Sequence, residues 1–335
     1  MISRKIVMKK QFNGTPTLED FEILEEPLNV IQDGEILTQA EWHSVDPYMR
    51  MVSVGLKDGE IMPGRQIARV LQSKTTAVPE GSLVMGNFGW RDLTVYKPEA
   101  DVNYDNFYVL QEMKGLPESF ALGAVGRIGN TAFFGLTELC SPKEGDTLVV
   151  SAAAGAVGSV VGQIGKIKGC KVIGFAGSDE KLNWMKNDLG FDHVFNYKTI
   201  NIDEALKLAA PQGVDCYFDN VGGEFTYHVM NNMNLYGRIA LCGAISSYNS
   251  DKSKPYTIPV NYHNWIYKQI KIEAFVVTRW KSRWLEGITQ LRDWVLEGKL
   301  QIKETVVVGF ENMPSAFISL FKGDNIGKII VKSSP

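Results

Sequence analysis

The stretch around Leu148-Val149-Val150-Ser151-Ala152-Ala153-Ala154-Gly155-Ala156-Val157-Gly158 limits the possible folds of this chain more than any other. The apolar run ending at Val150 reads as a strand buried on both faces. Residues 151–158 read as a tight turn of small residues, and 156–168 as a helix packed behind it. Ala153, Gly155 and Gly158 occupy the three positions of the dinucleotide fingerprint, with alanine where the first glycine usually stands. Side chains that small let a pyrophosphate approach the backbone, where the amides of a helix N-terminus meet it with partial positive charge. Small residues also occur wherever a helix packs tightly on a sheet. A second apolar run, 171–176, arrives where a βαβ unit requires its next strand, which favours a dinucleotide site over packing alone.

In NAD-binding versions of this unit a carboxylate near the end of the second strand takes the ribose hydroxyls. Ala176, Gly177 and Ser178 stand there instead. An acid would repel a 2′-phosphate, whereas glycine leaves room for one and Ser178 and Lys181 supply donors. The expected cofactor is therefore NADPH rather than NADH. Ser178 also suits the N-cap of a helix opening at Asp179, Glu180 and Lys181, and a cap residue is well placed to touch phosphate.

With 335 residues, 44% of them hydrophobic, the chain can bury one large or two ordinary cores. Its 35 Lys and Arg against 38 Asp and Glu leave a net charge of -3, which draws it to neither nucleic acid nor an anionic membrane. The expected partner is a small molecule. No apolar segment approaches the roughly 20 residues of a membrane span. Arg4, Lys5, Lys9 and Lys10 leave no signal-peptide core at the N-terminus, so a cytoplasmic location is expected. Cys140, Cys170, Cys216 and Cys242 are scattered singly in or beside apolar stretches, as reduced thiols would be.

Ahead of the fingerprint, strand-like runs at 6–8, 21–24, 35–42, 66–72, 82–88 and 92–96 are broken by glycine and proline, the pattern of an antiparallel, barrel-like β domain. Helices are expected at 117–122 and 131–139, separated by a glycine-rich loop at 123–129. Beyond residue 181, helices at 180–188, 203–209 and 224–233 alternate with strands at 193–196, 215–219 and 238–242. That rhythm makes an α/β, doubly wound parallel sheet whose ligands sit beyond the carboxyl ends of the strands. Residues 220–223, Cys242-Gly243-Ala244-Ile245-Ser246-Ser247-Tyr248 and Phe275-Val276-Val277 fall at such ends. A polar loop at 249–264 is long enough to cover a pocket. It is followed by a strand at 273–277, an amphipathic helix at 285–296, a strand at 305–308, and a helix, turn and strand within 313–332.

Six motifs, Val45-Asp46-Pro47-Tyr48-Met49-Arg50, 152–162, 175–181, 218–224, 242–248 and 323–328, together resemble the prostaglandin and alkenal reductases, a zinc-independent branch of the medium-chain dehydrogenase/reductase superfamily. The likeness spans essentially the whole chain. It implies a barrel-like catalytic domain, 1–122, completed by 300–335, with a Rossmann NADP-binding domain, 123–299, between. The implied reaction is NADPH-dependent reduction of the carbon–carbon double bond of α,β-unsaturated ketones and aldehydes, including 15-oxo-prostaglandins and lipid-derived alkenals. Carried over by motif, cofactor contacts fall on Gly155, Ala156, Val157, Gly158, Ser178, Lys181, Tyr197, Asn220, Cys242, Gly243, Ala244, Ile245, Ser246, Ser247, Tyr248, Phe275, Val276, Val277 and Asn325. The resemblance also implies a homodimer paired along the 273–277 strand, since an apolar sheet edge is normally covered. Arg127, Asn130 and the polar stretch 249–256 depart from the pattern of the mammalian enzymes, which bears on how bulky a substrate fits.

Tyr248 is the expected catalytic residue. It closes a loop after a sheet strand, and at a phenol pKa of about 10 it remains a hydrogen-bond donor at neutral pH. A zinc alcohol dehydrogenase shares the implied fold, but the chain lacks a dense four-cysteine lobe and a Cys–His pair at plausible spacing, so no metal is expected. His43 and Asp46 stand near the place of such a ligand, where an aspartate before Pro47 is an ordinary turn residue. A quinone reductase-type oxidoreductase and a non-catalytic NADP-binding regulatory protein are the alternatives. Consumption of NADPH on adding an alkenal separates an alkenal reductase from a binder.

Overall fold

The computed structural model describes residues 1–99, 104, 106–251 and 256–333. The chain opens with β1 (Ile2–Met8), β2 (Phe21–Pro27), β3 (Ile36–Ser44), α1 (Tyr48–Val52), β4 (Gln66–Ser73), β5 (Leu83–Gly86), β6 (Leu93–Tyr96) and β7 (Phe107–Val109). Next come α2 (Arg127–Phe134), β8 (Thr147–Val150), α3 (Ala156–Ile167), β9 (Lys171–Ala176), α4 (Asp179–Asn183) and β10 (His193–Asn196). They are followed by α5 (Ile202–Ala209), β11 (Val214–Asp219), α6 (Gly223–Asn231), β12 (Met233–Leu241), α7 (Tyr262–Lys268), β13 (Lys271–Ala274) and α8 (Trp284–Leu296). β14 (Glu304–Val308), α9 (Met313–Lys322) and β15 (Lys328–Lys332) close it. Among the described residues no helix is long and apolar enough to cross a membrane.

The chain packs as two compact units. The first comprises Met1–Leu122, Glu304–Asn325 and Ile329–Pro335; the second comprises Gly123–Lys303 and Ile326–Lys328. In the first, strands follow the order β14-β15-β3-β4-β5-β7, with β6 also on β3, and β1 and β2 form a separate antiparallel pair. Its core explains why the C-terminal segment returns. Ile6, Met8, Phe21 and Trp90 bury their apolar surface against Phe310, Met313 and Phe317. Phe21 stacks on Trp90 at 5.8 Å between ring centroids, and Phe317 meets the same indole edge-on at 5.9 Å. His43 is enclosed in this unit, 0% exposed, with its ring 5.4 Å from that of Phe310.

The second unit is a six-stranded parallel sheet in the order β10-β9-β8-β11-β12-β13. The order reverses between β8 and β11, which makes their carboxyl ends the switch point where such sheets take ligands. Strand alternation builds two cores. Leu148, Val150, Val172, Phe218 and Ala240 face α2, α3 and α8, whereas Val149, Ile173, Phe175, Tyr217 and Ile239 face α5 and α6.

Several elements depart from the pattern expected of the sequence. The glycine-rich stretch at 123–129 is not wholly a loop, because α2 begins at Arg127. A Cβ at Gly129 would lie 1.8 Å from the Ala124 carbonyl oxygen, so glycine lets the helix start against that backbone. Asn130, fully buried, donates its side-chain amide to the Trp284 carbonyl at 2.9 Å. Strand β12 begins at Met233, where a helix end was expected. The chain after residue 261 forms α7 rather than continuing as loop. Residues 252–255 of the expected covering loop, Pro255 among them, lie outside the described residues. The strand expected at 273–277 is β13, at one edge of the sheet, and it ends at Ala274.

Candidate functional site

The fingerprint turn connects β8 to α3. Ala152 adopts φ 48°, and its carbonyl accepts the Gly155 amide at 2.9 Å. Gly155 is extended at the N-cap of α3, and the first helical return bond runs from the Ser159 amide to the Gly155 carbonyl at 3.0 Å. The amides of Ala156, Val157 and Gly158 precede that bond and belong to the first turn, the part of a helix that can meet an anion. Gly158 is held by packing as well. A Cβ there would fall 2.4 Å from the Ala152 carbonyl oxygen and 2.8 Å from the Ala153 Cα, all backbone atoms that cannot rotate away. Gly158→Ala is expected to cost about 1–3 kcal/mol by overpacking and to weaken dinucleotide binding through the displaced turn. A urea melt and a nucleotide titration check this; wild-type values in both would sink it.

At the end of β9, Gly177 and Ser178 are half-buried. Ser178 takes the N-cap position of α4, but its hydroxyl makes no capping bond, so the cap expected there is one of backbone position only. Lys181 follows on α4, already engaged within the protein. The Tyr197 amide donates to the Ala176 carbonyl at 3.1 Å, which brings its exposed ring beside Gly177.

The ends of β11 and β12 are tied together by Asp219, which sequence reading placed only at a strand end. Its carboxylate is 1% exposed. Oδ1 accepts from the Tyr217 hydroxyl at 2.8 Å, the Val221 and Gly222 amides at 2.9 Å and the Ser151 hydroxyl at 3.2 Å, and Oδ2 accepts from the Thr226 hydroxyl. Burial first, and then Asp219, push the Tyr217 phenol well above its ordinary pKa, so it stays a donor. Ser151 passes the connection to the fingerprint turn: its hydroxyl accepts the Asn220 amide, and its carbonyl accepts the Asn220 side-chain amide, both at 2.9 Å.

From the same hub the Asp219 carbonyl accepts the Cys242 and Gly243 amides at 2.9 and 3.1 Å. The Val221 carbonyl accepts the Ser246 amide at 3.1 Å and its hydroxyl at 2.6 Å. The Ile245 amide donates to the Asn220 carbonyl at 3.4 Å, and the Ser247 hydroxyl to the Ala244 carbonyl at 2.8 Å. The Tyr248 hydroxyl accepts the Ala244 amide at 3.2 Å, and a Cβ at Gly243 would lie 3.2 Å from both that hydroxyl and the Asn220 carbonyl oxygen. Burial raises the Tyr248 phenol and pushes the Cys242 thiol up to about 12, so both keep their protons at neutral pH.

The remaining expected residues are placed differently. Phe275 turns into the core, its ring 6.1 Å from Phe218 and 5.5 Å from Trp280, while Val276 is 63% exposed and Val277 is buried. Asn325 is buried and belongs to the first unit. Two residues on, Gly327 joins the second, its amide donating to the Ala154 carbonyl at 2.8 Å beside the fingerprint turn. Gly327 has φ 65°, and a Cβ there would meet the Lys303 carbonyl oxygen at 1.9 Å, so the turn reaches the fingerprint only as glycine. Among the described residues no group of three or more His, Cys, Asp or Glu is placed to hold a metal ion. His43 is enclosed beside Phe310, and Asp46 accepts the Ser44 hydroxyl.

A nucleotide fits this arrangement: small residues at the turn, amides at the start of α3, and no acid at the end of β9. Residues 4–103 match a family described as the N-terminal domain of oxidoreductase, and residues 156–293 one described as zinc-binding dehydrogenase. Prostaglandin reductase 1 of Oryctolagus cuniculus is 49% identical over 323 residues, 96% of this chain and 90% of that protein. The 2-alkenal reductase (NADP(+)-dependent) of Nicotiana tabacum is 35% identical over 99% of this chain and 98% of its own. CurA from Vibrio vulnificus, solved in complex with NADPH, has a TM-score of 0.90 at 37% identity, covering 99% of each chain. Identity of that order along nearly the whole chain places this protein in the prostaglandin reductase family of the medium-chain dehydrogenase/reductases.

Proposed function

We infer that the protein is an NADPH-dependent reductase of the carbon–carbon double bond in α,β-unsaturated ketones and aldehydes. The observation that carries this reading is the 49% identity to prostaglandin reductase 1 across 96% of the chain. The NADP-dependent alkenal reductase and the NADPH-bound CurA support the same cofactor. We further propose that it works without zinc, in the cytoplasm, on lipid-derived alkenals or 15-oxo-prostaglandins. The direct test is the absorbance of NADPH after an alkenal or ring enone is added to protein stripped of metal by a chelator. Steady loss is expected, and its absence with every enone would overturn the assignment.

Bound NADPH supplies the hydride that reaches the β-carbon of the enone. The amides of Gly155, Ala156, Val157 and Gly158 would take its pyrophosphate. Ser178, Lys181 and Tyr197 would take the adenosine end. Asn220, Cys242 to Tyr248, the backbone of Phe275, Val276 and Val277 would make the remaining contacts. As the β-carbon is reduced, negative charge gathers on the substrate carbonyl oxygen, and the barrier depends on a donor placed there. Tyr248 is suited to that role. Its oxygen accepts from Ala244, which leaves its own proton to donate, and burial keeps the phenol protonated.

Tyr248→Phe is expected to lower kcat about tenfold and to change KM less, below the ~10²–10³-fold of a lone donor, because a ribose hydroxyl of bound NADPH would share the oxyanion with it. An unchanged kcat in a folded, NADPH-binding variant would remove Tyr248 from the mechanism.

The proposed homodimer rests on β13, whose short edge carries Lys271 and Glu273 on one face. Antiparallel pairing centred on Ile272 would set Lys271 against the partner's Glu273, so Glu273→Lys is expected to shift the mass in solution toward monomer. A monomeric wild type at micromolar concentration would refute the dimer.

A further inference from the structure

Away from the strand ends that take the ligand, the second unit holds a cluster of thiols that the reductase reaction leaves unused. Cys140 ends the π-helical turn Gly135–Cys140 that continues α2, and Cys216 lies near the start of β11. Both are 0% exposed. Cys216 Sγ lies 3.6 Å from the Cys140 carbonyl oxygen, and Cys140 Sγ lies 3.7 Å from the carbonyl oxygen of Tyr217, the residue after Cys216. These crossed contacts bring the two side chains into one small space. Polar groups close it on one side. Arg238 Nη2 donates to Cys216 Sγ at 2.9 Å and also to Asp146 Oδ2, while Arg238 Nε is buried with no partner among the described residues. The hydrogen bond from Cys140 and then Arg238, acting against burial, hold the Cys216 thiol below its ordinary pKa. The same bond, with burial, holds Cys140 well above it. Burial pushes Cys170 and Cys242 up to about 12, so neither competes as a nucleophile.

We propose that Cys216 and Cys140 are an oxidisable pair that takes hydrogen peroxide and closes to a reversible disulfide. The Cys216 thiolate attacks one peroxide oxygen. The O–O bond breaks, a sulfenic acid forms on Cys216, and the departing hydroxide takes up the proton that the thiol released. The Cys140 sulfur then attacks the Cys216 sulfur, the S–O bond breaks, and the leaving hydroxide takes the Cys140 proton as a second water. Two thiols lose two electrons and one peroxide gains them. Arg238 suits both stages, since its charge favours the thiolate and its free Nε can donate to the sulfenic oxygen. The side chains of Arg238 and Asp146 are 21% and 16% exposed, so a single layer separates the Cys216 sulfur from water. That layer admits a molecule as small as peroxide and excludes a bulky thiol reagent. The competing account, cysteines that serve only as small apolar core residues, predicts that peroxide leaves both thiols intact until the protein unfolds.

The test is hydrogen peroxide added to the full chain under native conditions, followed by digestion and mass spectrometry. A linked Cys140–Cys216 peptide is expected, with two of the four thiols lost, unchanged circular dichroism and full recovery in dithiothreitol. Cys140→Ser is expected to stop the reaction at a sulfenic acid on Cys216 that dimedone traps, and Cys216→Ser to leave Cys140 reduced. Arg238→Gln is expected to slow disulfide formation about tenfold. N-ethylmaleimide is expected to leave Cys216 unmodified over the time in which peroxide oxidises it. If the folded wild type keeps all four thiols, if the linkage falls on Cys170 or Cys242, or if Cys140 is oxidised at the wild-type rate in Cys216→Ser, the pair is only a piece of the core.

Discussion

Asp219→Ala is expected to destabilise the protein by roughly 3–5 kcal/mol, because each buried donor left without an acceptor costs about 1–3 kcal/mol and only some can re-pair by relaxation. Five donors lose their acceptor: the Ser151, Tyr217 and Thr226 hydroxyls and the Val221 and Gly222 amides. The damage is local to the carboxyl ends of β8, β11 and β12. NADPH affinity is therefore expected to fall about 100-fold in whatever fraction stays folded, the equivalent of about 2.8 kcal/mol. Asp219→Asn separates charge from geometry. It keeps the Oδ1 acceptor that serves four of the donors, and the Thr226 hydroxyl can rotate to accept from the new amide, so a loss of only about 1–2 kcal/mol is expected. Urea unfolding of the three proteins, with NADPH titrations below the transition, gives both numbers. An Ala variant within about 0.5 kcal/mol of wild type would mean that water satisfies these donors and that Asp219 is no hub.

Acid is expected to weaken the fold through His43. Complete burial lowers its pKa from 6.5 to about 3, opposed only in part by the Asp92 carboxylate. Asp92 is itself paired with Arg4 at 2.8 Å. A histidine whose folded pKa is depressed is neutral in the native protein, while the unfolded chain takes up a proton below pH 6.5. The stability due to a neutral His43 is thus fully present above pH 6.5 and lost as pH falls toward 3, by roughly 4–5 kcal/mol over the whole window. At pH ~4.5 the loss reaches about 3 kcal/mol. His43→Leu removes that dependence: its stability difference between pH ~7 and ~4.5 is expected to be smaller than the wild type's by the same amount, whatever its absolute stability. Parallel curves for the two proteins would show that His43 is protonated without cost and has access to water.

Local pattern carried much of the architecture. The strand expected at 193–196 is β10, and the helix expected at 156–168 is α3 but for its last residue, because a two-residue or 3.6-residue apolar period is written within a few neighbouring positions. Short elements were not legible in this way. β7 has three residues and α1 only five, too few to show a period, and α7 presents Tyr262, Ile266 and Tyr267 outward, against the usual sense of amphipathicity.

By itself the sequence determined a parallel α/β sheet bearing a dinucleotide turn, a β domain before it, and the strand ends as the place for a ligand, since these follow from periodicity and from which residues stand at the turns. Which side chains converge at those ends was decided only by tertiary structure. Asp219 meets Ser151 across 68 residues of chain, Gly327 reaches Ala154 from the far C-terminal segment, and Lys198 is laid over Gly177 by a turn two strands removed from the fingerprint. Phe275, read as a strand-end contact, is committed to the core by Phe218 and Trp280. Such pairings depend on the order of strands and on close packing between distant segments. No local period encodes either, so a hub like Asp219 looks in sequence like any aspartate at the end of a strand.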